Sequence, residues 1–487
     1  MLPEELIELA RQVIEQKAET QTLEVKSAHQ GCPKRLYDTL SSFSNQDNGG
    51  IILFGLDEKQ DFKPVGVYDL HDLQQQVAAQ CKGMTPFVRA IFTTAYIDDV
   101  PICSAEIPGL NLADRPCYYS GSGIQKGSYI RVGDADEPIT PYEIYTYEVF
   151  RRHLHDDERI IDRANLNALN TEQVDAYIYK KQKDRPGFAQ QDIDEKRKTL
   201  AIVNADGKPT LAALLNFGIY PQAYLPQLCI TAVVVPGTEI GDIDQEESRF
   251  LDNKRIEGTI MELLEGALAF CRRNMKTRTI IDPETGERRD QTEYPLTAIR
   301  EAILNAIIHR DYSLYTEGTP IQINFFSNRL EIHSPGTLYG PITVEQLGKV
   351  RPDFRNPTLA VMAESQIQVE NRYSGIPTMR REMARCGLPA PQFYNGRNEF
   401  IVTFYNEPEE KTAVSPNTIT TDTKNPESLL AFCQTPRSRT EIAQFLGIRT
   451  VAYAMSTYVT PMIKAGKLKL LFPETPRSRR QKYYSDR

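Results

Sequence analysis

Three polar side chains spaced four residues apart are the clearest candidates for chemistry in this sequence: Glu301, Asn305 and His309. The apolar residues around them recur at helical spacing and predict one buried helix face, formed by Leu296, Ile299, Ile303 and Ala306. Residues four apart on a helix are neighbours, so the polar side chains form a ridge on another face. A carboxylate that activates water, one turn from a carboxamide that holds a magnesium ion bridging phosphates, suits an ATPase. The alternative is a solvated stripe on an ordinary amphipathic helix.

The residues after this helix favour the catalytic interpretation. Two strand candidates, IQINFF and RLEIHS, follow it, and then Gly336 in SPGTL and Gly375 in SGI, which opens another helix. Glycines at such junctions let backbone amides approach a nucleotide closely. No G-x-x-x-x-G-K-[ST] loop occurs, so the sequence does not indicate a P-loop helicase.

In this order, residues 256–405 resemble the ATP-binding module of the GHKL superfamily, in the divergent form that is associated with RecG-like and Schlafen proteins. The resemblance implies ATP and magnesium as cofactors. It also implies that Glu301 is the general base and that Asn305 is the magnesium ligand. The further nucleotide-binding residues would be His309, Gly336 and Gly375. Where many relatives have a second glycine before Ser-Gly-Ile, this chain has Tyr373, which predicts a tighter phosphate loop and slow or absent hydrolysis.

A second candidate site lies near the N-terminus and contains Glu19, Glu24, Lys26 and Asp57. The two glutamates flank an expected strand in ETQTLEVKS, and Asp57 follows the buried strand of GGIILFGLDE. Extended residues two apart share a face, so Glu24 and Lys26 should lie together. Three carboxylates at strand ends suit one or two magnesium or manganese ions for phosphodiester cleavage, with Lys26 stabilising the phosphorane. Acids at strand ends are also commonly solvated termini, and both interpretations stay open.

Residues 19–140 resemble the Schlafen AlbA-like domain. The resemblance depends on FSN at 43–45, NGG at 48–50, GLD at 55–57 and YIRVG at 129–133. Schlafens that cleave nucleic acid carry an E-x-x-x-x-E-x-K element and a later Asp, which the four charged residues match. The resemblance therefore implies a metal-dependent nuclease, in which Gly49 and Gly50 leave room for a backbone to approach. Many bacterial members are known only as DNA-binding regulators, so binding without cleavage stays open.

The C-terminal residues 428–487 predict three short helices and a basic β-hairpin, the order of a winged helix-turn-helix. Its cations suit phosphate contact and form the predicted nucleic-acid surface: Lys464, Lys467, Arg477, Arg479, Arg480 and Lys482. Tyr483 and Tyr484 follow and suit base stacking. The alternative is a solvated, fraying chain end.

These sites must be positioned by a multidomain chain of the α/β (α+β) class, because 487 residues exceed one core. We predict an AlbA-like domain over residues 1–145 and a connector with a β-rich segment over 146–255. An ATP-binding α/β sandwich should follow over 256–405. A linker over 406–427 then leads to a winged helix over 428–487. Within the second stretch, 211–217 and 228–235 are interpreted as buried β runs.

Composition restricts the functional classes. The net charge of -8 excludes a uniformly basic surface, so nucleic-acid contacts must come from local patches. Eight scattered cysteines without a C-x-x-C pair indicate reduced thiols. No long apolar run or signal-like N-terminus occurs, which predicts a cytoplasmic protein without membrane contact.

Three functions remain after these exclusions. The first is an ATP-regulated nuclease, plausible in stress or phage defence, with weak ATPase activity. The second is an ATP-binding, DNA-binding transcriptional regulator without nuclease activity. The third is an oligomeric scaffold, and a dimer or larger homo-oligomer fits all three.

Overall fold

The computed structural model describes residues 1–244, 247–281, 288–351, 353–367 and 374–406, together with short stretches between 429 and 485. The chain divides into two compact units, Met1–Glu409 and Glu410–Arg487. None of the helices in the described residues combines the length and apolar character needed to cross a bilayer.

The N-terminal part of the first unit contains five helices: α1 (Pro3–Gln16), α2 (Tyr37–Ser44), α3 (Leu70–Lys82), α4 (Gly123–Gly127) and α5 (Pro141–Arg152). Its strands are β1 (Leu23–Lys26), β2 (Gly50–Phe54), β3 (Leu56–Asp57), β4 (Lys63–Pro64), β5 (Met84–Thr85), β6 (Ile91–Ile97), β7 (Val100–Ile107), β8 (Tyr118–Tyr119), β9 (Tyr129–Val132) and β10 (Ala135–Pro138). The main sheet has the order β1-β2-β7-β6, in which only β1 and β2 are parallel.

Side-chain alternation gives this sheet two apolar faces. Ile52 and Phe54 of β2 pack with residues of α2 and α3, whereas Leu53 packs with α1. Val25 shares the α1 face. Glu24 therefore points to the α2 side of β1.

The β9–β10 hairpin is attached to α2 by polar side chains. Asn45 Nδ2 donates to the Tyr129 carbonyl at 2.9 Å, and the Tyr129 amide donates to Ser41 Oγ at 2.8 Å. Ser42 Oγ donates to Asp136 Oδ1 at 2.6 Å. Serines of α2 and the asparagine that follows it thus fix the position of the hairpin.

The second part of the unit contains a six-stranded sheet of order β12-β11-β15-β16-β18-β17. Its strands and an adjoining hairpin are β11 (Ile230–Val234), β12 (Asp252–Ile256), β13 (Thr277–Ile281), β14 (Arg288–Thr292), β15 (Ile321–Phe325), β16 (Arg329–Pro335), β17 (Gln392–Asn395) and β18 (Glu399–Tyr405). Its helices are α6 (Thr171–Gln182), α7 (Pro186–Ala189), α8 (Ile193–Thr199), α9 (Leu211–Phe217), α10 (Ile260–Asn274), α11 (Leu296–His309), α12 (Pro357–Ile367) and α13 (Gly375–Arg385). One continuous apolar core joins the sheet to α9, α10, α11 and α12.

Two features of the predicted connector differ from expectation. Leu211–Phe217 is a helix and not a β run, because Thr210 caps it by accepting the Ala213 amide at 3.1 Å. A short apolar run alone cannot separate a buried strand from a buried helix. The boundary at 255/256 also falls inside one sheet, since β11 pairs with β12 on one side and with β15 on the other.

The second unit is described only in part. It shows a sheet of order β19-β21-β20, formed by β19 (Arg437–Ser438), β20 (Lys469–Leu470) and β21 (Lys482–Tyr484), a helix over Arg439–Phe445 and a π-helical turn over Met455–Val459. Leu429, Ile442 and Val459 are buried in its core. The winged helix stays a prediction, and all of the linker except Asn406 lies outside the described residues.

Candidate functional site

The predicted ridge on α11 lies in a cleft. Glu301, Asn305 and His309 line one cavity of about 390 Å³ together with Gly336 and Gly375. The five residues that the sequence singled out for nucleotide binding are therefore brought together. Cavities of ~300–1,000 Å³ are the usual size for small-molecule sites.

Gly375 lies where α13 begins, against the middle of α11. A Cβ atom added there would lie 3.1 Å from both Asn305 Nδ2 and Glu301 Oε2. Its φ is not left-handed, so a side chain at this position would be opposed by the crowded ridge and not by the backbone conformation. The first amides of a helix have no intrahelical partner, and this end of α13 lines the cavity through Ser374 and Gly375. The polar end of the cleft is thus suited to phosphate.

Gly336 lines the cleft, and its backbone is constrained by contacts within the chain. Its φ is +105°, and an added Cβ would lie 2.5 Å from Asp311 Cβ. Its amide donates to the Asn398 carbonyl at 2.8 Å, so that amide is not available to a nucleotide. Glycine at this position allows the chain that lines the cleft to pass close to Asp311.

The other end of the cavity is apolar. Ile332 of β16 and Phe400 and Val402 of β18 line it from the sheet, and the buried Leu347 also lines it. An apolar wall opposite a polar end suits a heteroaromatic ring joined to charged groups.

Burial raises the pKa of the Glu301 carboxyl above its ordinary value, although Arg300, 3.6 Å away, partly offsets this effect. The His309 ring stacks on Phe354 with its centroid 5.7 Å away. Desolvation in the cleft and the charge of Arg355 lower the pKa of His309 to about 4, even though the side chain still reaches solvent. His309 is therefore neutral at pH 7 and adds no charge to the cleft.

Sequence reasoning missed a buried network behind the cleft. Asp311, 1% exposed, accepts hydrogen bonds from Tyr142 Oη and the Ser313 amide, both at 2.8 Å, and pairs with Arg355. Arg355 Nη2 also donates to the Thr337 carbonyl at 2.8 Å, beside Gly336. Burial would raise the pKa of Asp311, but Arg355 and the hydrogen bonds outweigh it and lower that pKa. The sequence motifs HRDYS and RNP contain Asp311 and Arg355, but they do not show that these two residues form an ion pair.

At the N-terminal candidate site, Glu19, Glu24 and Lys26 meet a residue that sequence reasoning did not single out. Arg131 is 1% exposed at its side chain, with Nη2 2.7 Å from Glu24 Oε2 and 3.6 Å from Glu19 Oε2. Its Nη1 lies 3.0 Å from Asp136 Oδ1, and Lys26 Nζ contacts Glu24 Oε1. Cations thus lie against the glutamates, where a metal ion was expected.

Asp57 does not join this cluster. Its carboxylate accepts the Lys59 amide at 3.0 Å and Gln60 Nε2 at 2.8 Å, and so caps the following turn. Across the described residues, no group of three His, Cys, Asp or Glu side chains is arranged to hold a metal ion. In the described residues the carboxylates of Glu19, Glu24 and Asp57 do not form one group, and the metal site stays a prediction.

The expected opening at the two glycines is also filled. An added Cβ at Gly49 would lie 2.1 Å from the Ile107 carbonyl oxygen, and one at Gly50 would lie 2.4 Å from the Phe43 ring. These glycines allow the chain to pack against itself. They do not leave room for a nucleic-acid backbone.

Burial and the nearby Glu24 raise the pKa of Glu19 from its ordinary 4.5 to about 7, although the Val25 amide donates to it at 2.7 Å. The charge of Lys26 also lowers this pKa, but it does not outweigh the burial. A raised carboxyl pKa means that the folded protein holds this proton more tightly than the unfolded chain. The charged form therefore costs stability, and the full cost is present above about pH 7.

Glu19→Gln should remove this cost while keeping an acceptor for the Val25 amide. We expect the variant to gain stability over wild type as pH rises from 4.5 to about 7, and to show no gain at pH 4. Urea unfolding across this pH range measures the difference. A pH-independent difference would show that the pKa of Glu19 is the same in the folded and unfolded protein.

The predicted basic surface is only partly described. Lys467 and Lys482 are exposed, whereas Lys464, Arg477, Arg479 and Arg480 lie outside the described residues. The role of all six in nucleic-acid binding stays a prediction.

Comparisons with known proteins confirm both domain resemblances. The family model "Schlafen, AlbA_2" matches residues 19–140, and "Putative ATP-dependent DNA helicase recG C-terminal" matches residues 318–404. The second match contains Gly336 and Gly375, whereas α11 with its ridge precedes it. The chain is thus a mixed α/β protein with Schlafen-type and ATPase-like domains.

Two solved structures are similar to this chain at low sequence identity. The DIP2311 protein from Corynebacterium diphtheriae is 18% identical, with 95% of this chain and 93% of that chain covered and a TM-score of 0.40. The N-terminal domain of a RecG-related protein from Nitrosomonas europaea is 22% identical, with 28% and 93% covered and a TM-score of 0.23. No curated protein matches the chain.

Proposed function

We propose that this chain binds ATP in the α11 cleft and acts on nucleic acid through its Schlafen-type domain. The position of Gly375 is the main support for ATP binding in the cleft, since a side chain there would fill the gap between α13 and the Glu301–Asn305 ridge. The family matches support both halves. Homo-oligomer formation remains part of the prediction.

The residues of the cleft suit ATP and magnesium. The start of α13 would receive the phosphates, and the apolar wall of Ile332 and Val402 would receive the adenine. Asn305 would hold the magnesium ion, which supplies positive charge to the phosphates when bound. Glu301 is placed to accept a proton from water, and burial raises the pKa of its carboxyl, which makes the carboxylate a stronger base.

For the nucleic-acid activity, the geometry favours binding without cleavage. Arg131 and Lys26 balance the charge of Glu19 and Glu24, and Asp57 is engaged in its own turn. A regulator that binds nucleic acid needs no metal site there. The nuclease is the second candidate, supported by the order of the four charged residues in the Schlafen-type domain.

One set of measurements tests the proposal. Titration calorimetry with ATP should give binding that magnesium strengthens. Labelled tRNA, single-stranded DNA and duplex DNA, incubated with magnesium or manganese and with or without ATP, should be bound but not shortened. Cleavage by wild type that Asp57→Ala abolishes would establish the nuclease instead, and absence of ATP binding would refute the cleft assignment.

A further inference from the structure

The turn between β17 and β18 contacts both the nucleotide cleft and the Schlafen-type domain. On the cleft side, the Asn398 carbonyl accepts the Gly336 amide at 2.8 Å. Asn395 Oδ1 accepts the Leu338 amide at 2.9 Å. The cleft segment from Gly336 to Leu338 is therefore fixed at one end by this turn and at the other by the last residue of β17.

On the other side, Arg397 holds two carboxylates of the N-terminal part. Its Nε and Nη2 each lie 2.8 Å from an oxygen of Glu143, in the first turn of α5. Its Nη1 lies 2.6 Å from Glu137 Oε2 on β10. A bidentate arginine–carboxylate pair restricts both distance and orientation. Arg397 and Thr140 lower the pKa of Glu143 in spite of its burial, so this carboxylate stays charged.

The β9–β10 hairpin continues this connection to the charged cluster. Asp136 stands opposite Arg131 in the register, and its Oδ1 lies 3.0 Å from Arg131 Nη1. Arg131 in turn lies 2.7 Å from Glu24 Oε2. Every contact from the cleft to Glu24 is a hydrogen bond, an ion pair or a paired strand.

We propose that Arg397 is a positioning residue which couples nucleotide occupancy of the cleft to the β9–β10 hairpin, and through Arg131 to the Glu19–Glu24 cluster. The inference rests on the proposed ATP binding. A nucleotide that orders the segment from Gly336 to Leu338 also orders the turn, and the turn orders the hairpin through Glu137. Coupling of this kind is reciprocal, so a ligand of the hairpin changes ATP affinity by the same factor.

Hydrogen exchange in full-length protein tests this coupling without a nucleic-acid ligand. In wild type, saturating ATP with magnesium should slow amide exchange in residues 129–138 by about threefold or more, since local opening becomes rarer. Arg397→Gln should bind ATP within about threefold of wild type, because Arg397 does not line the cleft, but should lose the slowing. Arg397→Lys should keep part of it, since one ammonium cannot reproduce the bidentate pair.

A matched control is Arg152→Gln, which removes an exposed α5 ion pair to Glu148 and should retain the full effect of ATP. If wild type fails to bind ATP, the proposed function itself is refuted. If wild type binds ATP but exchange in 129–138 is unchanged, only the coupling is refuted. Slowing in Arg397→Gln equal to wild type would likewise refute the role of Arg397, as would loss of ATP binding in a folded Arg397→Gln.

Discussion

Gly375→Val should weaken ATP binding by about 100-fold, which corresponds to ~2.7 kcal/mol. The first atom of any side chain there already lies 3.1 Å from Asn305 Nδ2 and Glu301 Oε2. A branched side chain places further carbon atoms in the gap that the phosphates would occupy and displaces the ridge. Since Gly375 has an ordinary φ, the backbone should accept valine without strain. Titration calorimetry with magnesium and ATP measures the loss.

Two further variants make this result specific. Gly318→Val is the matched control, because its added Cβ meets nothing within 4 Å and the residue does not line the cleft. It should bind ATP like wild type. Asn305→Ala should lose the magnesium-dependent part of the affinity, while alanine maintains the helix. Normal ATP affinity in a folded Gly375→Val protein would contradict the assignment of the cleft.

Arg355→Met should lower the free energy of unfolding by about 3–5 kcal/mol. The pair with Asp311 is buried, with 6% and 1% of the two side chains exposed. Without Arg355, the Asp311 carboxylate keeps its hydrogen bonds from Tyr142 and Ser313 but has lost its balancing charge. Urea unfolding of the full chain, compared with wild type at pH 7, measures the effect.

A second substitution separates charge from packing. Asp311→Asn added to Arg355→Met removes the unbalanced charge and should recover part of the lost stability. Arg385→Met is the surface control, because its partner Glu382 lies 3.8 Å away and the Arg385 side chain is 73% exposed. That variant should change stability by less than about 1 kcal/mol. Equal losses in Arg355→Met and Arg385→Met would show that burial of the pair is unimportant.

The parts of the cleft that follow from local sequence could be predicted. Helical spacing places Glu301, Asn305 and His309 on one ridge, and Gly375 could be recognised because it opens a helix. The pairing of Asp311 with Arg355 could not be predicted, since the two lie 44 residues apart and no periodicity links them. The contact of Arg131 with Glu24 depends on how a distant hairpin packs on α2.

At the N-terminal site, the expected and observed contacts of Asp57, Gly49 and Gly50 differ because the sequence around each residue allows two interpretations. Asp57 follows a strand, where an aspartate can ligate a metal or cap the next turn, and sequence does not distinguish the two. Gly49 and Gly50 likewise indicate that another group lies close to the backbone, but the sequence does not show whether that group is a nucleic acid or part of the chain itself. In the structure, Asp57 accepts hydrogen bonds from its own turn, and Gly49 and Gly50 pack against Ile107 and Phe43.

The position of β11 in the six-stranded sheet has a practical consequence for fragments. The stretch matched by the ATPase-like family model, 318–404, contains four of the six strands and lacks α11. Cutting the chain there would leave β15 with an unpaired edge, where Ile321 otherwise lies opposite Ile230 of β11. Exposed edges of this kind promote aggregation. An expression fragment of the cleft must therefore begin upstream of β11, and one that keeps the apolar core intact must include α9 as well.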